Sequence, residues 1–336
     1  MKSFNLSIQT EFIKCNLCGG DEGLTVAKGQ DREYETSDQI YNIKRCKNCG
    51  LEYLNPRPCV ESLSIIYPSN YHAYNIRPAK IAGQKKSFTT IIRHKIYSYR
   101  LKHQLRFLGN TDKIDVLDIG CGDGWMLDLY RAIDKKKITT SGIDFDSNVC
   151  KVAESYGHKI YCGRFEDFNS DEKFDLINTS HVIEHVSDPK GLAKHVFNLL
   201  KPGGLFVVET PNINCLDRNL FGASNWGALH IPRHWNLFSP DTLKNLGESI
   251  GYKVIDVSFN PAPVHWVWSL HNLCYQKKNF LFNFLEKIFN PLDVFSGNAK
   301  SFFLLGGFSM LDTAIYFFSG RTSNMMVIFQ KPLSSN

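Results

Sequence analysis

The stretch Val116-Leu-Asp-Ile-Gly-Cys-Gly-Asp-Gly124, with Asp144 twenty positions later in Ser141-Gly-Ile-Asp144, decides the fold. An apolar run from Ile114 to Ile119, broken by Asp115, predicts a buried parallel strand. It ends in a loop of three glycines, and Trp125-Met-Leu-Asp-Leu-Tyr-Arg-Ala132 then reads as a helix. Glycine lets the backbone turn with positive φ and lets a ligand rest on bare main chain. The next strand, Ile138 to Ile143, delivers Asp144 at its C-terminal tip, where an acid can accept two hydrogen bonds from ribose hydroxyls.

The spacing narrows the choice of nucleoside. Dinucleotide loops follow G-x-G-x-x-G, which brings pyrophosphate to a helix N-terminus. Here Gly120, Gly122 and Gly124 follow G-x-G-x-G, and Asp118 precedes them. A carboxylate beside the loop repels phosphate and suits an ammonium. S-adenosylmethionine carries a free amine and no phosphate, so it fits better than NAD.

On these residues the chain resembles the class I S-adenosylmethionine-dependent methyltransferases, over roughly residues 110 to 260 plus a last strand near 324 to 331. The resemblance implies an α/β fold: a Rossmann-like, seven-stranded, mostly parallel sheet with helices on both faces and an antiparallel final strand. It assigns the cofactor to Asp118, Gly120, Cys121, Gly122, Gly124 and Asp144. It also implies that Gly163 to Phe168 lies along the adenine, with the main chain at Phe165 and neighbouring Glu166 in reach. Arg164 stands where many relatives carry an acid, a departure that removes that side-chain contact.

Upstream, Cys15-Asn-Leu-Cys18 and Cys46-Lys-Asn-Cys49 form two C-x-x-C knuckles, each followed by glycine. Four thiolates so paired suit tetrahedral, structural Zn²⁺ with no open position. The 27-residue gap between them is long for a compact ribbon, and a hairpin including Tyr41 to Lys44 can fill it. Redox use of the cysteines is the alternative. The other six cysteines are scattered, and with no export signal visible a reducing, cytoplasmic setting is expected.

With 336 residues, 43% of them apolar, the chain can bury a sizeable core, and a net charge of +6 without long basic runs gives no reason to expect a nucleic-acid partner. The expected organisation is a zinc ribbon in 1–60, a linker and helical lid in 61–110, the methyltransferase core in 111–260, and a helical cover of the acceptor pocket plus the final strand in 261–336.

The strand Phe174 to Ser180 runs into His181-Val-Ile-Glu-His-Val186, and Asp188-Pro189 opens the next helix. This text resembles a branch that includes ubiquinone-pathway O-methyltransferases and enzymes of polysaccharide clusters. That likeness places His181 near the sulfonium and His185 toward the acceptor as a general base. An imidazole of pKa ~6.5 can take the proton a hydroxyl must lose. Glu184 can orient a histidine, stay exposed or assist a divalent metal. A zinc ribbon with this text also resembles sugar C-methyltransferases, in which His230 or His234 would be the base. Tyr71 and Tyr74 of Tyr67 to Tyr74, with His230 and Arg233, are candidate acceptor contacts. The acceptor is expected to be a small molecule, a sugar or polysaccharide precursor.

The aromatic-rich region 262–320 is the least legible. Phe302 to Phe318 is only 17 residues long and holds Asp312, which argues against a membrane span. Helices covering the sheet or the pocket are expected, with shallow membrane contact as the second reading. Two rival functions remain: an NAD-dependent sugar oxidoreductase, which the loop spacing disfavours, and an inactive zinc-bearing interaction protein, which the intact loop and Asp144 disfavour.

Overall fold

The computed structural model describes residues 8–69, 71, 88–109, 111–277, 279–290, 293 and 299–333. The chain begins with short strands β1 (Thr10–Glu11), β2 (Gly23–Gly29), β3 (Tyr41–Cys46), β4 (Glu52–Leu54) and β5 (Arg57–Pro58), then helices α1 (Leu63–Ile66) and α2 (Phe88–Leu105). The alternation continues with β6 (Ile114–Ile119), α3 (Trp125–Ile133), β7 (Ile138–Asp144), α4 (Ser147–Ser155), β8 (Lys159–Cys162), β9 (Phe174–Ser180), α5 (Pro189–Leu199) and β10 (Leu200–Pro211). It closes with α6 (Leu216–Phe221), β11 (Asn236–Leu237), α7 (Pro240–Glu248), β12 (Lys253–Asn260), α8 (Pro263–Gln276), α9 (Phe280–Ile288), α10 (Ala299–Ser319) and β13 (Asn324–Gln330).

Seven strands form one sheet in the order β12-β13-β10-β9-β6-β7-β8. The pairings from β10 through β8 are all parallel, and β13 runs antiparallel to both its neighbours. Strand order reverses between β6 and β9, which opens a crevice at their C-terminal ends, the usual ligand position in such sheets. Residues alternate between the two faces. Leu117, Ile119, Phe206 and Val208 pack with Leu192 and Val196 of α5 and Leu243 of α7. Val116, Leu205 and Val207 pack on the other face with Leu101 of α2 and Leu129 and Tyr130 of α3.

Local chemistry fixes the helix starts. Asp188 caps α5 by accepting from the Gly191 amide, with Pro189 in the first turn. Ser239 and Thr242 make a reciprocal capping box at α7. At α4 the cap is Asp146, whose carboxylate accepts from the Asn148 and Val149 amides. Ser147, also a residue type that caps helices, is already the first helical residue; the charged side chain one step earlier is the better acceptor.

The cysteine-bearing strands form a second sheet in the order β11-β4-β3-β2. Its edge strand, Asn236–Leu237, comes from beyond the main domain's fifth parallel strand and pairs antiparallel with β4. Cys15, Leu17, Cys46, Leu51 and Tyr53 share one apolar cluster with Ile177, Phe206 and Phe238. The apolar core therefore crosses the boundary expected at residue 60 without interruption. Past β12, α8 is largely buried, while α9 and α10 lie outside it.

Candidate functional site

The glycine loop hangs from the tip of β7. The amides of Gly120 and Cys121 both donate to the Ile143 carbonyl, at 2.8 and 3.0 Å. All three glycines have positive φ, but their surroundings differ. A Cβ on Gly120 would meet Val182 at 2.6 Å and one on Gly124 would meet His158 at 2.9 Å. At Gly122 (φ +52°) nothing lies within 4 Å of that position, so the loop's middle glycine faces open space. That bare surface fits a nucleoside laid on the main chain.

Asp144 braces the loop and borders that space. One carboxylate oxygen accepts from the Gly122 amide at 2.9 Å and the other from the Asp146 amide at 3.0 Å. A carboxylate has about four lone-pair sites, so capacity remains for two ribose hydroxyls. Asp118 is buried and accepts from Asn178 at 2.7 Å. Burial, with the charge of Asp144, pushes its carboxyl up to about 7. A buried acid in that condition lacks a cation, and an ammonium would supply one. Cys121 is different: its thiol turns down onto Gly142, so only its main chain faces the loop's outer side. Phe165 packs against His195, with ring centroids 4.6 Å apart, while Glu166 is held by Arg164 at 3.2 Å. Trp125, at the start of α3, is covered by Tyr97 and Arg93 of α2, which thereby roofs the loop's far side.

The end of β9 supplies the second half of the site. His181 adopts φ +55°, a strained conformation for a non-glycine residue, and its amide donates to the Glu209 carbonyl. Its side chain is 42% exposed and its Nδ1 lies 3.0 Å from fully buried Glu184. Burial alone would lower the His181 pKa, but Glu184 reverses the direction and raises it. Burial likewise works to raise Glu184, yet His181 and the nearby histidines hold it at about 2. The other Glu184 oxygen accepts from Thr210 at 2.9 Å. Glu184, His185 and His234 converge within 4.8 Å. With both carboxylate oxygens engaged, Glu184 serves this cluster as a hydrogen-bonded anchor.

His185, His230 and His234 form a ring cluster, with centroid separations of 4.6 Å for His185–His234 and 4.9 Å for His230–His234. His185 Nδ1 lies 3.1 Å from the Arg233 carbonyl and 3.0 Å from the Tyr67 hydroxyl. A carbonyl only accepts, so this contact calls for hydrogen on Nδ1 and a lone pair at Nε2; the Tyr67 hydroxyl can donate to Nδ1 in the other tautomer. Burial lowers the His185 pKa, keeping the ring neutral. His234 is fixed with hydrogen on Nδ1 by the Ala228 carbonyl at 2.8 Å, and burial with the neighbouring His185 holds it well below its ordinary range. It is more deeply enclosed than His185.

The expected acceptor contacts divide. Tyr71 is buried, with its hydroxyl 3.4 Å from His230 Nε2, and Tyr67 packs edge-on to it. Tyr74 lies outside the described residues. Arg233 is fully buried in a clasp: it donates to Asp31 at 2.7 and 3.2 Å and to the Ile66 carbonyl at 2.6 Å, beneath the Tyr34 ring. It holds the loop Asp31–Thr36 against the histidine segment and faces no open space, which corrects its expected role as an acceptor contact. Glu33, from that same loop, makes a short contact with His230 Nδ1, and Trp268 of α8 stacks on the His230 ring at 5.4 Å. Neither Glu33 nor Trp268 was evident from sequence; the acidic, aromatic text Asp31-Arg-Glu-Tyr-Glu35 inside the cysteine gap was the available signal.

The four cysteine sulfurs lie within 4.8 Å of one another, with Cys15–Cys49 and Cys18–Cys46 both at 3.5 Å. Tetrahedral zinc with bonds of ~2.3 Å separates its sulfurs by a little under 4 Å, so the donor set fits. Both knuckles share one backbone pattern: the first cysteine's amide donates five residues on, to Gly20 or Leu51, and Gly19 or Gly50 donates back to its carbonyl. Burial works to raise the Cys46 thiol, but the Cys49 and Asn48 amides and the neighbouring sulfurs bring it down to about 7.

A family model described as a methyltransferase domain matches residues 92–257. A ubiquinone biosynthesis O-methyltransferase of Cereibacter sphaeroides is 30% identical over 173 residues, 46% of this chain and 67% of the relative. A protein of Mycolicibacterium smegmatis described as a probable S-adenosylmethionine-dependent methyltransferase is 32% identical over 167 residues, 49% of this chain; the chain spans only 59% of that relative. Among solved structures, coclaurine N-methyltransferase aligns at 16% identity and a TM-score of 0.46, covering 81% of each chain. A mycolic acid cyclopropane synthase aligns at 16% identity and a TM-score of 0.45, covering 69% of this chain and 82% of the other. The open glycine loop, the two acids around it and these sequence relatives converge: this chain belongs to the S-adenosylmethionine-dependent methyltransferases.

Proposed function

We propose that the protein transfers a methyl group to a hydroxyl of a small-molecule acceptor, a sugar or polysaccharide precursor, with His185 as the general base. Bound S-adenosylmethionine supplies the electrophilic methyl group. The Gly120–Gly124 main chain would hold the nucleoside, Asp144 its ribose and Asp118 its ammonium. His185 would accept the acceptor's proton at Nε2, and the Arg233 carbonyl would steady the imidazolium through Nδ1–H. Glu184 would keep His181 in place at the rim. A neutral His185 beside the Arg233 carbonyl carries this reading: with hydrogen on Nδ1, its Nε2 would be the base that oxygen methylation needs. Similarity to ubiquinone biosynthesis O-methyltransferases supports oxygen as the methylated atom.

We also assign Zn²⁺ to Cys15, Cys18, Cys46 and Cys49 in a structural role, and the protein to the reducing cytoplasm, in keeping with ten cysteines free of disulfides. The test is product mass: the full chain with S-adenosylmethionine and a panel of sugars, nucleotide sugars and quinols should yield an acid-stable methyl ether of one class. A carbon-methylated product, or turnover undiminished in His185→Gln, refutes the assignment.

A further inference from the structure

Helices α9 and α10 present an outer surface unlike that of a helix facing water. The inward stripe of α10 is Ser301, Leu304, Leu305, Phe308, Asp312 and Ile315, with Phe308 stacked on Trp266 at 5.9 Å. Asp312, the helix's one acid, is buried against α8, where it accepts from the Trp266 indole at 2.8 Å and the Ala262 amide at 2.7 Å. The outward face holds Phe302, Phe303, Met310, Phe317 and Phe318, the last 93% exposed, and no charged side chain from 301 to 320. On α9, Phe280 is 91% exposed and Leu281 and Phe284 lie open beside it. Scattered exposed apolar residues need no explanation, but two helices armed this way mark an interaction surface.

Charge says what covers it. Asp293 pairs with Lys300 at 3.0 Å, and Glu286 acts electrostatically on His271 and Cys274 of α8. Among the described residues, the other cations of this region, Lys277, Lys287 and Arg321, are exposed near the helix ends. An apolar face edged by exposed cations, with Asp312 buried, Asp293 paired and Glu286 half-buried, complements the acyl boundary and headgroups of an anionic bilayer. A second copy of the same face would bring like charges together. The 21-residue α10 is long and apolar enough to cross a membrane, but Asp312 and its partners fasten it along α8, an arrangement that suits a helix lying on a surface.

We propose that α9 and α10 seat the protein on an anionic lipid surface. The docking goes beyond the methyl-transfer reading and does not depend on it. One side chain links the two: Trp268 packs with Leu304, Leu305 and Phe308 on one side and stacks on His230 on the other. The acceptor cluster thus stands directly behind the lipid-facing layer, placed for a membrane-borne acceptor.

The test uses the full chain and sedimenting vesicles of phosphatidylcholine, alone or with about one quarter phosphatidylglycerol, at low and high salt. Binding should be several-fold stronger on the anionic vesicles and fall with salt. Phe303→Glu/Phe318→Glu should weaken it at least about tenfold, with S-adenosylhomocysteine affinity and thermal midpoint unchanged. Four results would overturn the proposal: no sedimentation with either vesicle; a variant that sediments like the parent; a solution dimer dissociated by the variant without vesicle binding; or protein that resists alkaline extraction, which would mean a crossing helix. Because S-adenosylhomocysteine binding is read separately in solution, failure here leaves the methyltransferase reading standing, and the reverse.

Discussion

Lowering the pH should loosen the protein's grip on S-adenosylhomocysteine through one buried carboxyl. Asp118 starts from 3.8 in a free side chain and stands at about 7 in the fold, because of burial and the nearby charge of Asp144. Without ligand, the folded chain between those values holds a proton that the unfolded chain lacks. Its contribution to stability is complete below the lower value and is lost as pH rises through the upper one. An ammonium placed beside Asp118 favours the ionised form instead, so binding expels the proton. With a folded value near 7, affinity should be about tenfold weaker at pH 6 than at pH 8, with a slope of about one decade per pH unit on the acid side. Calorimetry at pH 6.5 in two buffers of different ionisation enthalpy should report release of about three quarters of a proton, and almost none at pH 8. Asp118→Asn should flatten the profile. It should also weaken binding at pH 8 by roughly 10- to 100-fold, the range for a hydrogen bond to a charged group. An affinity that is level from pH 6 to 8, or an Asp118→Asn profile as steep as the parent's, refutes the contact between this acid and the ligand's amine.

Gly122→Ala and Gly120→Ala should separate binding from folding. Both carry a backbone cost of about 1–2 kcal/mol for a side chain at positive φ, but only Gly120 adds a collision, with Val182. The thermal midpoint should fall further for Gly120→Ala, whereas Gly122→Ala should lose S-adenosylhomocysteine affinity by more than its stability loss explains. His185→Gln should lower kcat by about 10²- to 10⁴-fold with cofactor affinity intact, as single-turnover kinetics would show. Asp31→Asn should cost about 3–5 kcal/mol in denaturant titration, because it strands the buried Arg233 guanidinium. Metal analysis should find one zinc per chain, and Cys46→Ser should lower both zinc content and the thermal midpoint.

The glycine loop, Asp144 and the strand–helix alternation were legible because each is a short, local pattern; the reversed direction of the last strand came only from the family resemblance. Period-two apolar runs and turn glycines report on their own neighbourhood. What escaped reading is long-range. The pairing of Asn236–Leu237 with β4 joins residues nearly two hundred positions apart, and no local propensity announces it. Arg233 looked like a polar group over the sheet edge because its partner, Asp31, sits in another module. At the start of α4 both Asp146 and Ser147 are residue types that cap helices; geometry selects the aspartate. In α10 apolar residues fall on every side, so sequence periodicity cannot say which side faces inward, and burial is what distinguishes Ser301 and Asp312 from Phe317 and Phe318.

The borrowed edge strand has a consequence for how the chain tolerates metal starvation. Residues 230–238 are stitched at Trp235 and Asn236 on both sides: their amides donate to the Glu184 carbonyl, and the Trp235 carbonyl accepts from the Leu54 amide. Losing the zinc proposed for the cysteine knuckles would slacken the very thread on which His230 and His234 are strung, beside His185. A cell short of zinc would then carry protein still able to take up its methyl donor yet unable to aim it.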